Sequence, residues 1–185
     1  MKKKLSILLV LLIAILSVAG CKSSNKPEAA VNESVESFFK AMKEFDMNKL
    51  AQLSGDDMTD ELGLEQFESG DYQFVLDMLK KSAAKMTYKL IQTDLTDDVA
   101  TVKISCQYID ITLLFTEISN NSVTSADELT TLVNEMLDSG EYDEFIDEEL
   151  IVTVNKTDDK WIVDFDETLG NVFLSNFLTI IDDNM

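Results

Sequence analysis

The chain has 185 residues, with 35 acidic side chains, 15 basic ones that are all lysine, and no histidine. Such an acidic chain repels nucleic acid and anionic lipid, so neither is expected as a partner held by a basic surface. The absence of His and Arg also removes the commonest general base, the commonest zinc ligand and the bidentate anion clamp. We therefore predict no metal, no cofactor and no catalytic residue set.

The N-terminal segment has the order of a secretory signal. Three lysines precede a mainly apolar run, and small residues then lead to Cys21. The run is shorter than the roughly 20 residues that a membrane span needs, which disfavours the alternative of an uncleaved membrane helix. The sequence Val18-Ala19-Gly20-Cys21 resembles the lipobox of bacterial lipoproteins. The resemblance implies cleavage after Gly20 and a diacylglycerol thioether on Cys21.

These signals define the expected organisation of the chain. Residues 1–20 are predicted to be the signal peptide, 21–26 the lipidated cysteine with a short polar tether, and 27–185 a single α+β domain. The mature chain would keep 12 lysines against 35 acids, a net charge of −23. Lipid chains contribute about 0.8 kcal/mol per buried CH₂, so they would hold the protein to a membrane without spanning it. The expected location is the extracytoplasmic face of a bacterial cell membrane.

Helices are predicted first along the domain. Pro27 and Glu28 suit the first turn of a helix. Apolar residues then recur at helical spacing: Val31, Val35, Phe38, Phe39, Met42 and Phe45. Asp46 is expected to cap a second short helix that contains Leu50 and Leu53. A loop is predicted at 54–70, followed by a helix that opens at Asp71 and carries Phe74, Val75, Met78 and Leu79.

From Met86 the apolar period becomes that of strands. Residues 86–90 alternate, 94–98 form a turn, and 99–115 form a long β-rich run. One face of this run carries Ala100, Val102, Ile104, Cys106 and Tyr108. The alternation changes phase after Tyr108, which predicts a bulge or a sharp bend near Tyr108 and Ile109. Cys106, the only thiol besides Cys21, is predicted to be buried and structural.

The last third of the chain predicts a helix, a hairpin and a helix. Ser125 and Glu128 form a capping box for an inserted helix at 125–139 that ends at Gly140. A hairpin turns at 157–159, and a terminal amphipathic helix covers 169–181. The predicted fold class is α+β, with a curved antiparallel sheet packed against N-terminal helices. The predicted core comprises Phe38, Phe39, Val102, Ile104, Val152, Val154, Trp161 and Val163.

Over most of residues 27–167 this arrangement resembles the nuclear transport factor 2-like (cystatin-like) superfamily, which is seen in many small bacterial lipoproteins of unknown function. The resemblance rests on Phe38-Phe39 with the following Asp46-x-x-x-Leu50, and on one segment of each hairpin. Those segments are Asp98-Val99-Ala100-Thr101-Val102 and Lys160-Trp161-Ile162-Val163. The resemblance implies a pocket on the concave face of the sheet. Enzymes, ligand carriers and interaction modules share this fold, so function stays open.

Three residues are candidates for such a pocket: Tyr108, Asp110 and Asp164. Asp110 continues the face of Tyr108, where a carboxylate can act as a base or orient a ligand. The alternative, which we favour, is that the bulge turns Asp110 outward to water. Acid/base catalysis by Asp110 together with Asp164 would require a fixed separation of the two carboxylates.

Two further patterns resemble known functional sites without matching them. Ser-x-x-Lys occurs three times, without the companion segments of penicillin-recognising enzymes. The acidic segment 138–149 resembles a twelve-residue calcium loop in length. It places Asp143 where the turn requires Gly, and Gly140 where a ligand is needed. A solvated charged face that attracts cations loosely is favoured.

The sequence supports two classes of function. The favoured one is a non-catalytic binding or interaction module for an envelope protein, peptide or small ligand. Its negative field would steer a cationic partner in a salt-dependent way. The alternative is a carboxylate-dependent enzyme with Asp110 in the pocket. The oligomeric state and the type of bacterial host are left open.

Overall fold

The computed structural model describes residues 26–55, 62, 64, 73–121 and 125–182. The predicted signal peptide, Gly20, Cys21 and most of the loop predicted at 54–70 lie outside these residues. Among the helices described, none is long and apolar enough to cross a membrane.

The three predicted N-terminal helices are confirmed. They are α1 (Lys26–Glu44), α2 (Met47–Ser54) and α3 (Gln73–Lys85). The Asp46 carboxylate accepts the backbone N–H of Lys49 at 3.0 Å and so satisfies one of the free donors at the start of α2. Gly55 ends α2 with a φ of +83°, a left-handed conformation that favours glycine.

An antiparallel sheet follows, with strand order β1-β2-β3-β4. The strands are β1 (Thr87–Thr96), β2 (Val99–Asp110), β3 (Glu144–Thr157) and β4 (Lys160–Val163). The predicted α+β class with an antiparallel sheet is confirmed. The acidic residues 144–149, predicted to be a solvated segment, form the first half of β3.

The predicted bulge near Tyr108 is wrong. The β2–β3 register runs unbroken from Val99 opposite Asn155 to Asp110 opposite Glu144. A register shift does occur in the sheet, but it lies in β1, between Leu90 and Gln92. Without a bulge, every second side chain of β2 points to the same face of the sheet along the whole strand.

The change of phase after Tyr108 marks the end of the strand. Helix α4 (Thr112–Asn120) occupies the region where the β-rich run was predicted to continue to Phe115. Ile111, Leu114 and Ile118 recur at helical spacing, and Ile111 and Leu114 are buried. At its start, a short apolar run fits the two-residue period of a strand as well as the 3.6-residue period of a helix. This ambiguity explains why a strand was predicted where α4 forms.

The inserted helix is confirmed as α5 (Ala126–Ser139). At its start the Ser125 hydroxyl accepts the N–H of Glu128 at 3.3 Å, and at its end Gly140 has a left-handed φ of +68°. The predicted terminal helix is instead two helices, α6 (Glu167–Phe173) and α7 (Phe177–Asp182). Ser175 and Asn176 between them have φ values of +55° and +62°. Two left-handed residues in succession cannot continue a right-handed helix.

Helices α1 and α3 pack on one face of the sheet. The residues of β2 on that face are all buried: Ala100, Val102, Ile104, Cys106 and Tyr108. The opposite face is largely accessible, with Ile151 on it 61% exposed, although Ile109 near the end of β2 is buried. All predicted core residues are buried except Trp161, which is half-buried and packs against the edge of the core.

Two isoleucines on opposite faces of the sheet test this packing. Ile104→Ala should lower the free energy of unfolding by about 2–5 kcal/mol, because it leaves a cavity among fully buried side chains. Ile151→Ala should change it by no more than about 0.5 kcal/mol, because that side chain is mostly in water. Urea unfolding of both variants measures the difference, and equal losses would contradict the assignment of the two faces.

Candidate functional site

The predicted pocket residue Tyr108 is buried and paired with a carboxylate. Its hydroxyl donates a hydrogen bond to Oε2 of Glu148 at 3.2 Å. Glu148 lies directly opposite Cys106 in the β2–β3 register, so all three side chains are on the helix-covered face. Sequence reasoning missed Glu148. Extending the alternation of Leu150, Val152 and Val154 backward by one step places Glu148 on this face.

The thiol and the phenol of this group are held in their neutral forms. Burial, followed by the nearby Glu148 carboxylate, raises the pKa of the Cys106 thiol to about 12. Burial, followed by Glu148 and then Asp110, raises the pKa of Tyr108 to about 12 as well. A thiol needs its thiolate form to act as a nucleophile. Cys106 is therefore a poor nucleophile at neutral pH, as expected for a structural cysteine.

Asp110 uses both of its carboxylate oxygens within the fold. Its Oδ1 accepts the backbone N–H of Thr112 at 2.8 Å and also the Thr112 hydroxyl. Its Oδ2 accepts a hydrogen bond from Nδ2 of Asn176 at 3.0 Å. The side chain thus caps the start of α4 and ties it to the break between α6 and α7. The Asp110 side chain is half-buried, and these hydrogen bonds give it a structural role in the fold.

Asp164 does not lie near Asp110. The backbone N–H of Asp164 donates to the carbonyl of Thr153, which is opposite Thr101 in the sheet. Thr101 and Asp110 are nine positions apart along β2, which corresponds to about 30 Å along the strand. The structure does not bring these two carboxylates together as an acid/base pair.

The helix-covered face of the sheet is filled by side chains. Phe38, Phe39, Met42 and Ile104 are fully buried between the helices and the sheet. Cavities of about 260, 300 and 330 Å³ lie elsewhere on the described surface. None of these three is lined by Tyr108, Asp110 or Asp164.

One end of the sheet is built from an acidic stretch of the chain that has no lysine. Between Asp110 and Glu149 the sequence has twelve acidic residues and no lysine. This region comprises α4, α5 and the first half of β3, and we call it the acidic end. The absence of lysine over this stretch is visible in the sequence, and it is the signal that sequence reasoning did not use.

Two lysines of α3 hold the acidic end in place. The ammonium of Lys81 lies 2.8 Å from Oδ1 of Asp138. The ammonium of Lys85 lies 2.6 Å from Oδ2 of Asp143 and donates to the carbonyl of Leu137 at 2.7 Å. A lysine at the last carbonyls of a helix also favours the helix dipole. These contacts position α5 while leaving most of the acidic residues without a lysine.

The remaining carboxylates point in different directions. Glu135, Glu141 and Glu144 are exposed and make no ion pair within the described residues. Alternation along β3 places Asp147 on the sheet face opposite to Glu148. Within the described ranges, no group of three or more potential ligands surrounds a common ion position. The acidic end therefore offers a charged surface, and its carboxylates do not converge.

The start of α1 lies at the other end of the sheet. Asn32 accepts a hydrogen bond from Thr93 at 2.6 Å, and the carbonyl of Glu36 accepts one from Tyr88 at 3.1 Å. The residue numbers rise along α1 while they fall along β1. The start of α1 therefore points toward the β1–β2 turn, and we call this side of the domain the turn end. The β3–β4 turn is there too, since the N–H of Lys156 donates to the Asp98 carbonyl at 2.8 Å.

No protein-family model matches this chain, and no curated protein matches it. Solved structures similar to it include an NTF2-like protein of unknown function from Shewanella oneidensis MR-1, with 11% identity and a TM-score of 0.41 over 74% of this chain and 93% of the other. They also include a candidate lipoprotein, ycdA, from Bacillus subtilis, with 15% identity and a TM-score of 0.46 over 83% of this chain and 60% of the other.

A third similar structure is a candidate dehydratase of the NTF2-like family from Streptomyces avermitilis. It has 15% identity and a TM-score of 0.35 over 73% of this chain and 89% of the other. At these identities and TM-scores, no activity or partner of this chain follows from the three structures.

The raised pKa values make stability fall at alkaline pH. Cys106 and Tyr108 ordinarily titrate at 9.0 and 10.0, so above these values the unfolded chain loses protons that the folded protein keeps up to about pH 12. The contribution of Tyr108 is thus fully present below pH 10 and is lost toward pH 12. Urea unfolding at several pH values should show a shallower loss of stability in Tyr108→Phe than in the wild type. Equal slopes would contradict the burial of this phenol.

Proposed function

We propose that the mature protein is a lipid-anchored, extracytoplasmic binding module whose acidic end takes a cationic protein or peptide of the bacterial envelope. The observation that carries this proposal is the placement of the acidic end and the start of α1 at opposite ends of one sheet. A surface far from the anchor is accessible to a partner in the envelope.

The dimensions of the chain support this arrangement. The twelve residues of β2 span about 36–40 Å between the two ends. The five residues from Lys22 to Lys26 reach at most about 18 Å when fully extended. A lipid on Cys21 would therefore keep the turn end close to the membrane, with the acidic end facing away from it.

The polar groups of the helix-covered face favour binding over catalysis. Cys106 and Tyr108 stay protonated at neutral pH, and Asp110 is used as a helix cap. Glu148 accepts a hydrogen bond from Tyr108. The separation of Asp110 from Asp164 removes the carboxylate pair on which the alternative, a carboxylate-dependent enzyme, depended.

The anchor is tested by Cys21→Ser in the bacterial host. Without the thiol no thioether can form, so the protein should be released from the membrane or remain unprocessed. Fractionation of the cells and the mass of the chain measure both effects. Normal cleavage with full retention in the membrane would contradict a lipid anchor.

The acidic end is tested by capture of partners from envelope extract with the full-length protein, at low and high salt. A basic partner should be captured at low salt and lost at high salt, because screening weakens attraction between exposed charges. The triple variant Glu135→Gln, Glu141→Gln, Glu144→Gln should lose most of this capture.

The matched control removes the same charge elsewhere. Glu28→Gln, Asp97→Asn and Asp158→Asn change three exposed carboxylates outside the acidic end. This control should retain the partner. Equal loss in both triple variants would mean that overall charge, and not the acidic end, determines binding, and salt-insensitive capture would remove the electrostatic basis of the proposal.

A further inference from the structure

A groove of about 300 Å³ opens at the turn end of the domain, between α1, α2 and β4. Apolar side chains of Leu53, Trp161 and Ile162 line it, together with the charged side chains of Glu33, Asp159 and Lys160. The Ser34 hydroxyl donates to the backbone carbonyl of Trp161 at 2.7 Å, which fixes β4 against α1. Trp161 is half-buried, so part of its ring faces the groove.

The groove lies close to the point where the tether begins. Ala30 lines it and is four residues after Lys26, which corresponds to about 6 Å along α1. The tether adds at most about 18 Å between Lys26 and Cys21. A lipid on Cys21 therefore brings the bilayer surface within about 24 Å of the groove, whereas the acidic end is a further strand length away.

The side chains of the groove suit the surface of a bilayer. Tryptophan favours the interface between headgroups and acyl chains, because its ring is apolar and its N–H is polar. The ammonium of Lys156 lies 3.7 Å from the Asp98 carboxylate and 3.4 Å from that of Asp159, which offsets part of the negative charge of the two turns. Lys160 makes no ion pair within the described residues, so its ammonium is available to a lipid phosphate.

We propose that this groove rests on the lipid surface of the membrane that holds the anchor, with Trp161 in the headgroup region. The proposal depends on the lipid anchor of the proposed function. It adds a second, non-covalent contact, which fixes the orientation of the domain and directs the acidic end away from the bilayer.

Trp161 is the only tryptophan of the chain, so its fluorescence reports on this contact alone. The full-length lipidated protein is reconstituted into vesicles of phosphatidylcholine and phosphatidylethanolamine, with or without bromine on the acyl chains. Trp161 should shift its emission to shorter wavelength on reconstitution, and brominated lipid should quench most of its intensity.

The control moves the tryptophan to the acidic end. In the double variant Trp161→Phe, Phe145→Trp the fluorophore replaces a side chain that is 45% exposed in β3. Its emission should not be quenched by brominated lipid. Retention of the wild type on vesicles with no quenching, or equal quenching at both positions, would overturn the groove contact while leaving the anchor intact. Loss of the protein from the vesicles would overturn the anchor and the groove contact together.

Discussion

The unbroken pairing of β2 with β3 determines where the other parts of the domain lie. Twelve residue pairs in one register keep a single parity from Val99 to Asp110. Alternate side chains therefore form one apolar row under α1 and α3, and the opposite row is half-exposed or exposed except for Ile109 near the end of β2. The same pairing makes the sheet long enough to separate two chemically different ends. A shift by one residue would expose the apolar row and bring charged side chains under the helices.

Most of the fold could be predicted from the sequence because its signals are local. The Asp46 and Ser125 caps, the Gly140 stop and the alternation in the hairpins each depend on residues a few positions apart. The end of β2 could not be predicted in this way. Ile111 suits a strand and a helix equally, and the hydrogen bond of Asp110 with Asn176, 66 positions away, is not visible in a local pattern. Asn176 lies in the break between α6 and α7, so this hydrogen bond also involves that break.

The candidate site was predicted less well than the fold, for a related reason. Alternation along β2 places Tyr108 on the covered face, but its partner Glu148 lies in a segment whose many acids indicate a solvated charged face. Asp110 and Asp164 both follow buried strand residues, and only the register shows that they are about 30 Å apart. What the sequence does contain is the lysine-free stretch from Asp110 to Glu149. Because Lys81 and Lys85 attach this stretch to α3, its charge is presented on a fixed surface.

The central claim is that the acidic end faces away from the membrane. It is tested by energy transfer from a donor dye to an acceptor lipid in vesicles that carry the full-length lipidated protein. The dye is placed on Glu141→Cys at the acidic end or on Asp158→Cys at the turn end, since Cys106 is buried and does not react. The proposed orientation predicts strong energy transfer from position 158 and weak energy transfer from position 141. Equal transfer from the two positions, or stronger transfer from position 141, would contradict it.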